Sequence, residues 1–104
     1  MSNYKLLYTT CRSLKEAKKI GDILVKNKLA ACTNIISSVN SIFLWKNKTS
    51  KSKEVILIGK TQKKNMNKIM RIIKKNHSYE FPVILFFNID HGSKDSLKWI
   101  KLNS

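Results

Sequence analysis

The fold of this 104-residue chain is decided by one stretch, from Leu29 to Thr61, which reads LAACTNIISSVNSIFLWKNKTSKSKEVILIGKT. It begins where an amphipathic helix ends. It continues as two strand-forming arms, residues 30–44 and 54–61, around a lysine-rich turn region, residues 46–53. This pattern predicts one very long β-hairpin with a bend or bulge at Ser37-Ser38. A domain of this size cannot cover such a hairpin, so its surplus length predicts an oligomer.

The residues around the hairpin supply two helices and two further strands. Residues 4–10 are predicted as the first strand, and Ser13-Leu14-Lys15-Glu16 is a capping box that starts a helix closing at Leu29. A second helix carries the apolar stripe Met66, Ile69, Met70 and Ile73. Residues 77–80 are predicted as a loop, residues 83–89 as the fourth strand, and Ser93 as the cap of a short terminal helix.

The predicted order is therefore βαββαβ with a final helix, an α+β ferredoxin-like sandwich forming a single domain over residues 1–104. Both long helices then pack on one face of the sheet. Residues 5–8, 55–58 and 83–87 are nevertheless apolar at consecutive positions, and hence apolar on both faces. The face without helices must meet another sheet, which predicts an oligomer a second time.

The net charge of +15 suggests nucleic-acid binding only at first sight. Of the 21 basic residues, 19 are lysine and two are arginine, Arg12 and Arg71. Lysine, asparagine and isoleucine share A/T-rich codons, whereas specific readers of nucleic acid favour the bidentate arginine fork. We interpret the charge as compositional, and we do not predict nucleic acid as a partner. The basic row of the second helix is read as a solvated face: Lys64, Lys68, Arg71 and Lys75.

The first residues give no sign of a leader. Residues 1–5 run directly into a short strand, without a long apolar segment or a cleavage site. The longest strictly apolar run, residues 83–87, is far shorter than the roughly 20 residues of a membrane span. These features predict a cytoplasmic protein with no membrane partner.

Several short motifs, in order and at matching spacing, resemble the CutA family of divalent-cation tolerance proteins. They are Leu29-Ala30-Ala31-Cys32, Asn34-Ile35, Trp45, Glu54-Val55, Lys60-Thr61, His77-x-Tyr79-x-x-Pro82, His91-Gly92 and Trp99-Ile100. The resemblance implies a ferredoxin-like protomer in a tight homotrimer whose long hairpins wrap neighbouring subunits. It also implies a link to tolerance of copper and other divalent metals, with copper binding in some members.

The residues that could hold a metal are His77, His91, Cys11 and Cys32, and none shows a local ligand spacing. Metal-binding members of the family carry a cysteine late in the first strand, where this chain has Thr9. A histidine often precedes the His-x-Tyr motif, where this chain has Asn76. Of the copper-linked positions His77 is retained, so the resemblance implies copper as the cofactor and His77 as its ligand.

A second hypothesis is a small-ligand-binding or signalling trimer with sites in the clefts between subunits. Lys60, Tyr79 and Trp99, together with His77, match recurrent polar and aromatic positions of the family. A cation, a titratable imidazole and aromatic walls would suit a small anionic ligand. The alternative interpretation is that Tyr79 and Trp99 pack at the subunit interface and that Lys60 is a strand-end charge.

Catalysis is not predicted. The sequence has no serine in a nucleophile elbow and no glycine-rich phosphate loop. Its six acidic residues form no pair by spacing, so we expect a protein that is not an enzyme. Trp45, near the hairpin tip, could contact a ligand, but it is more typical of an anchor that clamps the hairpin to a neighbouring subunit.

Overall fold

A computed structural model describes residues 2–104, so Met1 of the predicted domain lies outside the described residues. These residues form four strands and three α-helices. In chain order the elements are β1 (Tyr4–Cys11), α1 (Leu14–Lys26), β2 (Cys32–Trp45), β3 (Lys48–Gln62), α2 (Met66–Asn76), β4 (Ile84–Asn88) and α3 (Lys94–Asn103). A short 3-10 turn, Lys63–Asn65, leads into α2.

The four strands form one sheet in the order β2-β3-β1-β4, and every neighbouring pair is antiparallel. This order and the two helical crossovers confirm the predicted α+β, ferredoxin-like class. Because β1 and β3 run in opposite directions, the helices that follow them do so as well. The C-terminal end of α2 consequently lies beside the N-terminal end of α1.

Helix α1 begins at the predicted cap and ends earlier than predicted. The Ser13 hydroxyl accepts a hydrogen bond from the Glu16 N–H at 3.1 Å. The helix ends at Lys26 rather than at Leu29, because Lys28 takes a positive φ of 54°. The Leu29 N–H then donates back to the Leu24 carbonyl at 2.9 Å, which closes the helix.

The core lies between the helices and one face of the sheet. Every second residue of β1 points into it, so Leu7 and Cys11 are fully buried. They meet Leu57 of β3 and two rows of helical side chains, Ala17, Ile20 and Leu24 of α1 and Ile69 and Ile73 of α2. This packing explains the period of the apolar stripes on both helices.

The opposite face of the sheet is open in the single chain, as the sequence predicted. Leu85 and Phe87 of β4 are 47% and 51% exposed, and Ile36 of β2 is 48% exposed. Side chains of β1 and β3 on this face, such as Tyr8 and Ile58, are only half-buried. A contiguous apolar surface of this kind is typical of an interface.

The hairpin is longer than predicted, and its turn is shorter. Lys46 and Asn47, with φ of 50° and 66°, form a two-residue turn, and Trp45 pairs with Lys48 across it. The predicted turn region, residues 46–53, is therefore wrong beyond residue 47, since residues 48–53 belong to β3. Their lysines, serines and a threonine pair with β2 on an exposed ribbon, where strand propensity depends on the cross-strand partner. A register shift between Ile36 and Val39 confirms the predicted bulge.

Strand β4 covers residues 84–88, one residue shorter at each end than predicted. Pro82, which has no N–H to give to a ladder, lies before it. Within residues 2–104, no helix is both long enough and apolar enough to cross a membrane.

Candidate metal centre

Three possible metal ligands meet where the C-terminal end of α2 reaches the N-terminal end of α1. Cys11 is the last residue of β1, Glu16 lies in the first turn of α1, and His77 directly follows α2. One ligand atom from each lies within 4.8 Å of the others. No other group of three histidine, cysteine or acidic side chains comes as close together in residues 2–104. We call this group the Cys11–Glu16–His77 centre.

The centre is closed to solvent. Cys11 is 0% exposed, and the side chains of His77 and Glu16 are 0% and 12% exposed. The His77 Nε2 atom lies 3.8 Å from Glu16 Oε2. These groups therefore interact in a medium of low polarity, where unpaired polar atoms are unfavourable.

Both ring nitrogens of His77 are occupied. The Tyr79 N–H lies 3.0 Å from Nδ1 and can only donate, so Nδ1 accepts. The proton of the neutral ring then sits on Nε2, which donates to the Thr10 carbonyl at 2.7 Å. These two bonds fix one tautomer of His77 and fasten the residues after α2 to the end of β1.

Glu16 links the same two regions through its carboxylate. Oε2 accepts from the Arg12 N–H at 3.0 Å, and Oε1 accepts from the Ser78 N–H at 2.7 Å. In a full capping box the Glu16 carboxylate would accept the Ser13 N–H, so that half of the prediction is wrong. Burial alone would raise the pKa of Glu16, but the hydrogen bonds from Arg12 and Ser78 lower it below its usual value.

Two further groups complete the polar network. The Tyr79 hydroxyl donates to Glu54 Oε2 at 2.9 Å, and its ring tilts against that of His77 at a centroid distance of 4.8 Å. Burial, followed by the bond to Glu54, raises the pKa of Tyr79 to about 12. Burial, followed by the negative charges of Glu16 and Glu54, raises the pKa of the Cys11 thiol to about 12. Cys11 is thus a protonated thiol at neutral pH.

The donor set fits a borderline divalent cation such as copper or zinc. Thiolate and imidazole ligands suit both metals, and a carboxylate oxygen adds negative charge. Two features oppose a preformed site. The thiol must lose its proton, and His77 must give up a hydrogen bond before either nitrogen can ligate. The Cys11–Glu16–His77 centre could therefore hold a cation only after local rearrangement.

The residues predicted for an anion cleft lie at opposite ends of the sheet. Tyr79 contacts Glu54, and Lys60 lies six residues farther along β3, roughly 20 Å away at about 3.3 Å per residue. Trp99 lies on α3, whose C-terminal end is bound by Gln62 through the Ser104 carbonyl at 2.7 Å. One chain does not bring Lys60, Tyr79 and Trp99 together, so a cleft between subunits stays a prediction.

The other metal candidates are separate from the centre. His91 is exposed in the connection between β4 and α3. Cys32 is half-buried at the start of β2, where Lys60 Nζ approaches its sulfur at 3.7 Å and Asn34 Oδ1 at 3.0 Å. Thr9, at the family's cysteine position, is buried and donates to the Val83 carbonyl at 2.6 Å.

Glu16 was missed by sequence reasoning, and Cys11 was a candidate without an assigned place. In the sequence, Glu16 is explained by its role in the helix cap, and nothing there indicates that it is also a possible metal ligand. The available signal was topological. In a βαββαβ fold the first turn of α1 and the residue after α2 lie at the same end of the molecule. That rule places the residues at the end of β1, in the first turn of α1 and directly after α2 in one region of the fold.

Comparison with known proteins supports the resemblance inferred from the motifs. Residues 5–103 match the family described as CutA1 divalent ion tolerance protein. The divalent-cation tolerance protein CutA of Archaeoglobus fulgidus is 36% identical over 97 residues, or 93% of this chain and 94% of the relative. Its solved structure matches with a TM-score of 0.92 at 35% identity, covering 96% of this chain and 97% of that one.

A second solved structure agrees. The divalent cation tolerance protein of Thermus thermophilus matches with a TM-score of 0.95 at 30% identity, covering 97% of this chain and 98% of that one. Some relatives are longer. The chain covers 65% of a zebrafish CutA homolog at 33% identity and 53% of a chloroplastic CutA from Arabidopsis thaliana at 31% identity.

The predicted cytoplasmic location is wrong. The Archaeoglobus fulgidus relative is described as periplasmic, and the relatives from Arabidopsis thaliana and rice are described as chloroplastic. Relatives of this chain are thus described from two different compartments.

The motifs, the strand order and the matches along nearly the whole chain agree with one another. This chain belongs to the CutA1 family of divalent ion tolerance proteins.

Proposed function

We propose that the protein serves copper tolerance as a copper-binding homotrimer, with the cation held at the Cys11–Glu16–His77 centre. The observation that carries this proposal is the approach of a thiol, a carboxylate and an imidazole to within 4.8 Å in an otherwise strongly basic chain. Imidazole, thiolate and carboxylate are all metal-ligating groups, so their convergence at one position offers a donor set for a divalent cation.

Copper is favoured on chemical grounds. Among first-row divalent metals, Cu²⁺ forms the most stable complexes with mixed nitrogen, oxygen and sulfur ligands. The raised pKa of Cys11 means that a proton must leave when the metal binds, which makes binding weak at neutral pH. Weak binding suits a protein that responds to an excess of metal rather than one that keeps a structural ion.

The trimer is proposed from two surfaces that one chain leaves uncovered. The open face of the sheet carries exposed apolar side chains, including Leu85 and Phe87. The hairpin carries apolar side chains on both of its faces, with Leu44 76% and Trp45 53% exposed. Neighbouring copies of the chain would cover both surfaces, with Trp45 as the anchor.

We also propose that the protein binds its cation without catalysing a reaction. The one cysteine of the centre is buried, and its raised pKa keeps it a poor nucleophile at neutral pH. His77 uses both ring nitrogens in structural hydrogen bonds, so it has no free position for a substrate proton.

Titration calorimetry with Cu²⁺ tests the binding proposal. We expect the wild type to bind one Cu²⁺ per chain, His77→Ala to lose at least tenfold in affinity, and His91→Ala to behave as the wild type. A repeat with Zn²⁺ separates ligation from oxidation of the thiols. Equal micromolar binding by the wild type and His77→Ala would remove His77 as a ligand.

A further inference from the structure

We infer that residues 77–83, the α2–β4 loop, form a gate over the Cys11–Glu16–His77 centre, and that the closed gate and a bound divalent cation exclude one another. The inference rests on the proposed function and adds a regulating element to it. The cation that moves the gate is of the class the donor set suits, a borderline divalent ion such as Zn²⁺ or Cu²⁺.

Access to the centre is the first reason. The Cys11 residue and the His77 side chain have no exposed surface, and Glu16 has little. A cation in solution cannot reach their lone pairs while these groups stay covered. His77 is the first residue of the loop, the Ser78 N–H donates to Glu16, and the Tyr79 ring lies 4.8 Å from the His77 ring, so we expect the loop to move when the centre is uncovered.

The hydrogen bonds of the His77 ring are the second reason. If Nε2 becomes a ligand, its proton must move to Nδ1, where it would face the Tyr79 N–H, itself a donor. If Nδ1 becomes the ligand, the Tyr79 N–H is displaced directly. Either choice breaks the hydrogen bond between the His77 ring and the Tyr79 N–H. This bond holds Tyr79 against the first residue of the loop.

Glu16 behaves differently, because each carboxylate oxygen has a second lone pair. It can therefore hold Arg12 and Ser78 and still face a cation. The conflict between ligation and loop closure is thus concentrated at one residue, His77. This is the two-state element that a regulating ligand requires.

Two hydrogen bonds keep the gate closed without involving any ligand of the centre. The Tyr79 hydroxyl donates to Glu54, and the Thr9 hydroxyl donates to the Val83 carbonyl near the end of the loop. If closure opposes binding, removal of either bond favours the open loop and must strengthen cation binding. If the loop only supports the site, the same substitutions loosen it and weaken binding.

Titration calorimetry with Zn²⁺ shows whether the variants bind the cation more or less tightly than the wild type. Zn²⁺ is used because, unlike copper, it does not oxidise thiols. Tyr79→Phe removes one hydrogen bond to a charged group, so we expect Zn²⁺ to bind roughly tenfold more tightly. Thr9→Val keeps the volume of the side chain and removes a neutral bond, for which we expect about a fivefold gain. Tyr8→Phe, a matched change on the open face of β1, should leave the affinity unchanged.

The outcomes separate the gate from the proposed function. If the wild type binds Zn²⁺ and both Tyr79→Phe and Thr9→Val bind it equally or less tightly, the gate is overturned and the binding function stands. If the wild type binds neither Zn²⁺ nor Cu²⁺, both are overturned. Circular dichroism checks that each variant is folded, and if one variant fails to fold, the other decides.

Discussion

The two ends of the projecting hairpin ribbon, residues 39–54, contrast sharply. Near Glu54, the Cys11–Glu16–His77 centre and its neighbours are buried, and every buried side-chain nitrogen or oxygen in residues 2–104 has a hydrogen-bond partner. At the hairpin tip, residues 42–51, large apolar side chains lie exposed among lysines. The polar groups of the first end find their partners within a single chain, whereas the exposed apolar side chains of the second end are those that we propose a second chain covers. In the proposed function, the domain holds its cation in its own core and assembles through a projecting arm.

The largest effect on stability should come from removing a side chain of the Cys11–Glu16–His77 centre. His77→Ala leaves the Thr10 carbonyl and the Tyr79 N–H without partners and opens a cavity, so we expect a loss of about 2–4 kcal/mol in the free energy of unfolding. Urea denaturation measures it. His91→Ala, at an exposed position, is the control, and equal stability of the two variants would contradict the difference between the ends.

The next largest effect should appear in assembly rather than in folding. Trp45→Ala removes the proposed anchor and should weaken association by about 2 kcal/mol or more, with the fold of the protomer retained. Light scattering at decreasing protein concentration follows the dissociation, and Trp45→Phe should recover part of it. An unchanged oligomer mass and melting temperature would show that the tip needs no partner at Trp45.

A smaller effect concerns pH. The pKa of Glu16 is lowered on folding, so the stability conferred by its charge is complete above its ordinary value of 4.5 and is lost as the pH falls through the lower folded pKa. Glu16→Gln should abolish this acid-side loss, which we expect to be on the order of 1 kcal/mol. Thermal melts between pH 6 and pH 3 compare the two proteins, and parallel curves would argue against an ionised Glu16.

The smallest effect should come from the charges of the tip. Lys46, Lys48, Lys51 and Lys53 are exposed and make no ion pair in residues 2–104. Replacing each with Gln should change the free energy of unfolding by less than about 0.5 kcal/mol. Denaturation and light scattering check this, and loss of the oligomer would show that the lysines carry a function that composition alone does not explain.

Much of the fold could be predicted because its signals are local. The cap at Ser13, the stripes of α1 and α2 and the bulge at Ser37-Ser38 each depend on a few neighbouring residues. The prediction of a turn over residues 46–53 was wrong because residues 48–53 owe their strand conformation to their partners on β2, such as Phe43 opposite Ser50. The pattern of neighbouring residues along the sequence does not show that pairing.

The site was predictable in part and for a different reason. His77 was identified through the family motif, but its hydrogen bonds to Thr10 and Tyr79 depend on the loop conformation. Cys11 and Glu16 are brought to it by the antiparallel run of α1 and α2, which spacing along the chain does not show. The predicted joining of Lys60, Tyr79 and Trp99 would need a second chain.

Hydrogen–deuterium exchange of the wild-type protein, with and without Zn²⁺, tests the contrast between the two ends most directly. We expect the hairpin tip to be protected in both states, because the proposed neighbouring copies would cover it, and the amides of residues 78–81 to exchange faster once Zn²⁺ is bound. Rapid exchange of the tip in the absence of Zn²⁺, or a loop whose protection stays the same or rises when Zn²⁺ binds, would contradict this division of the molecule.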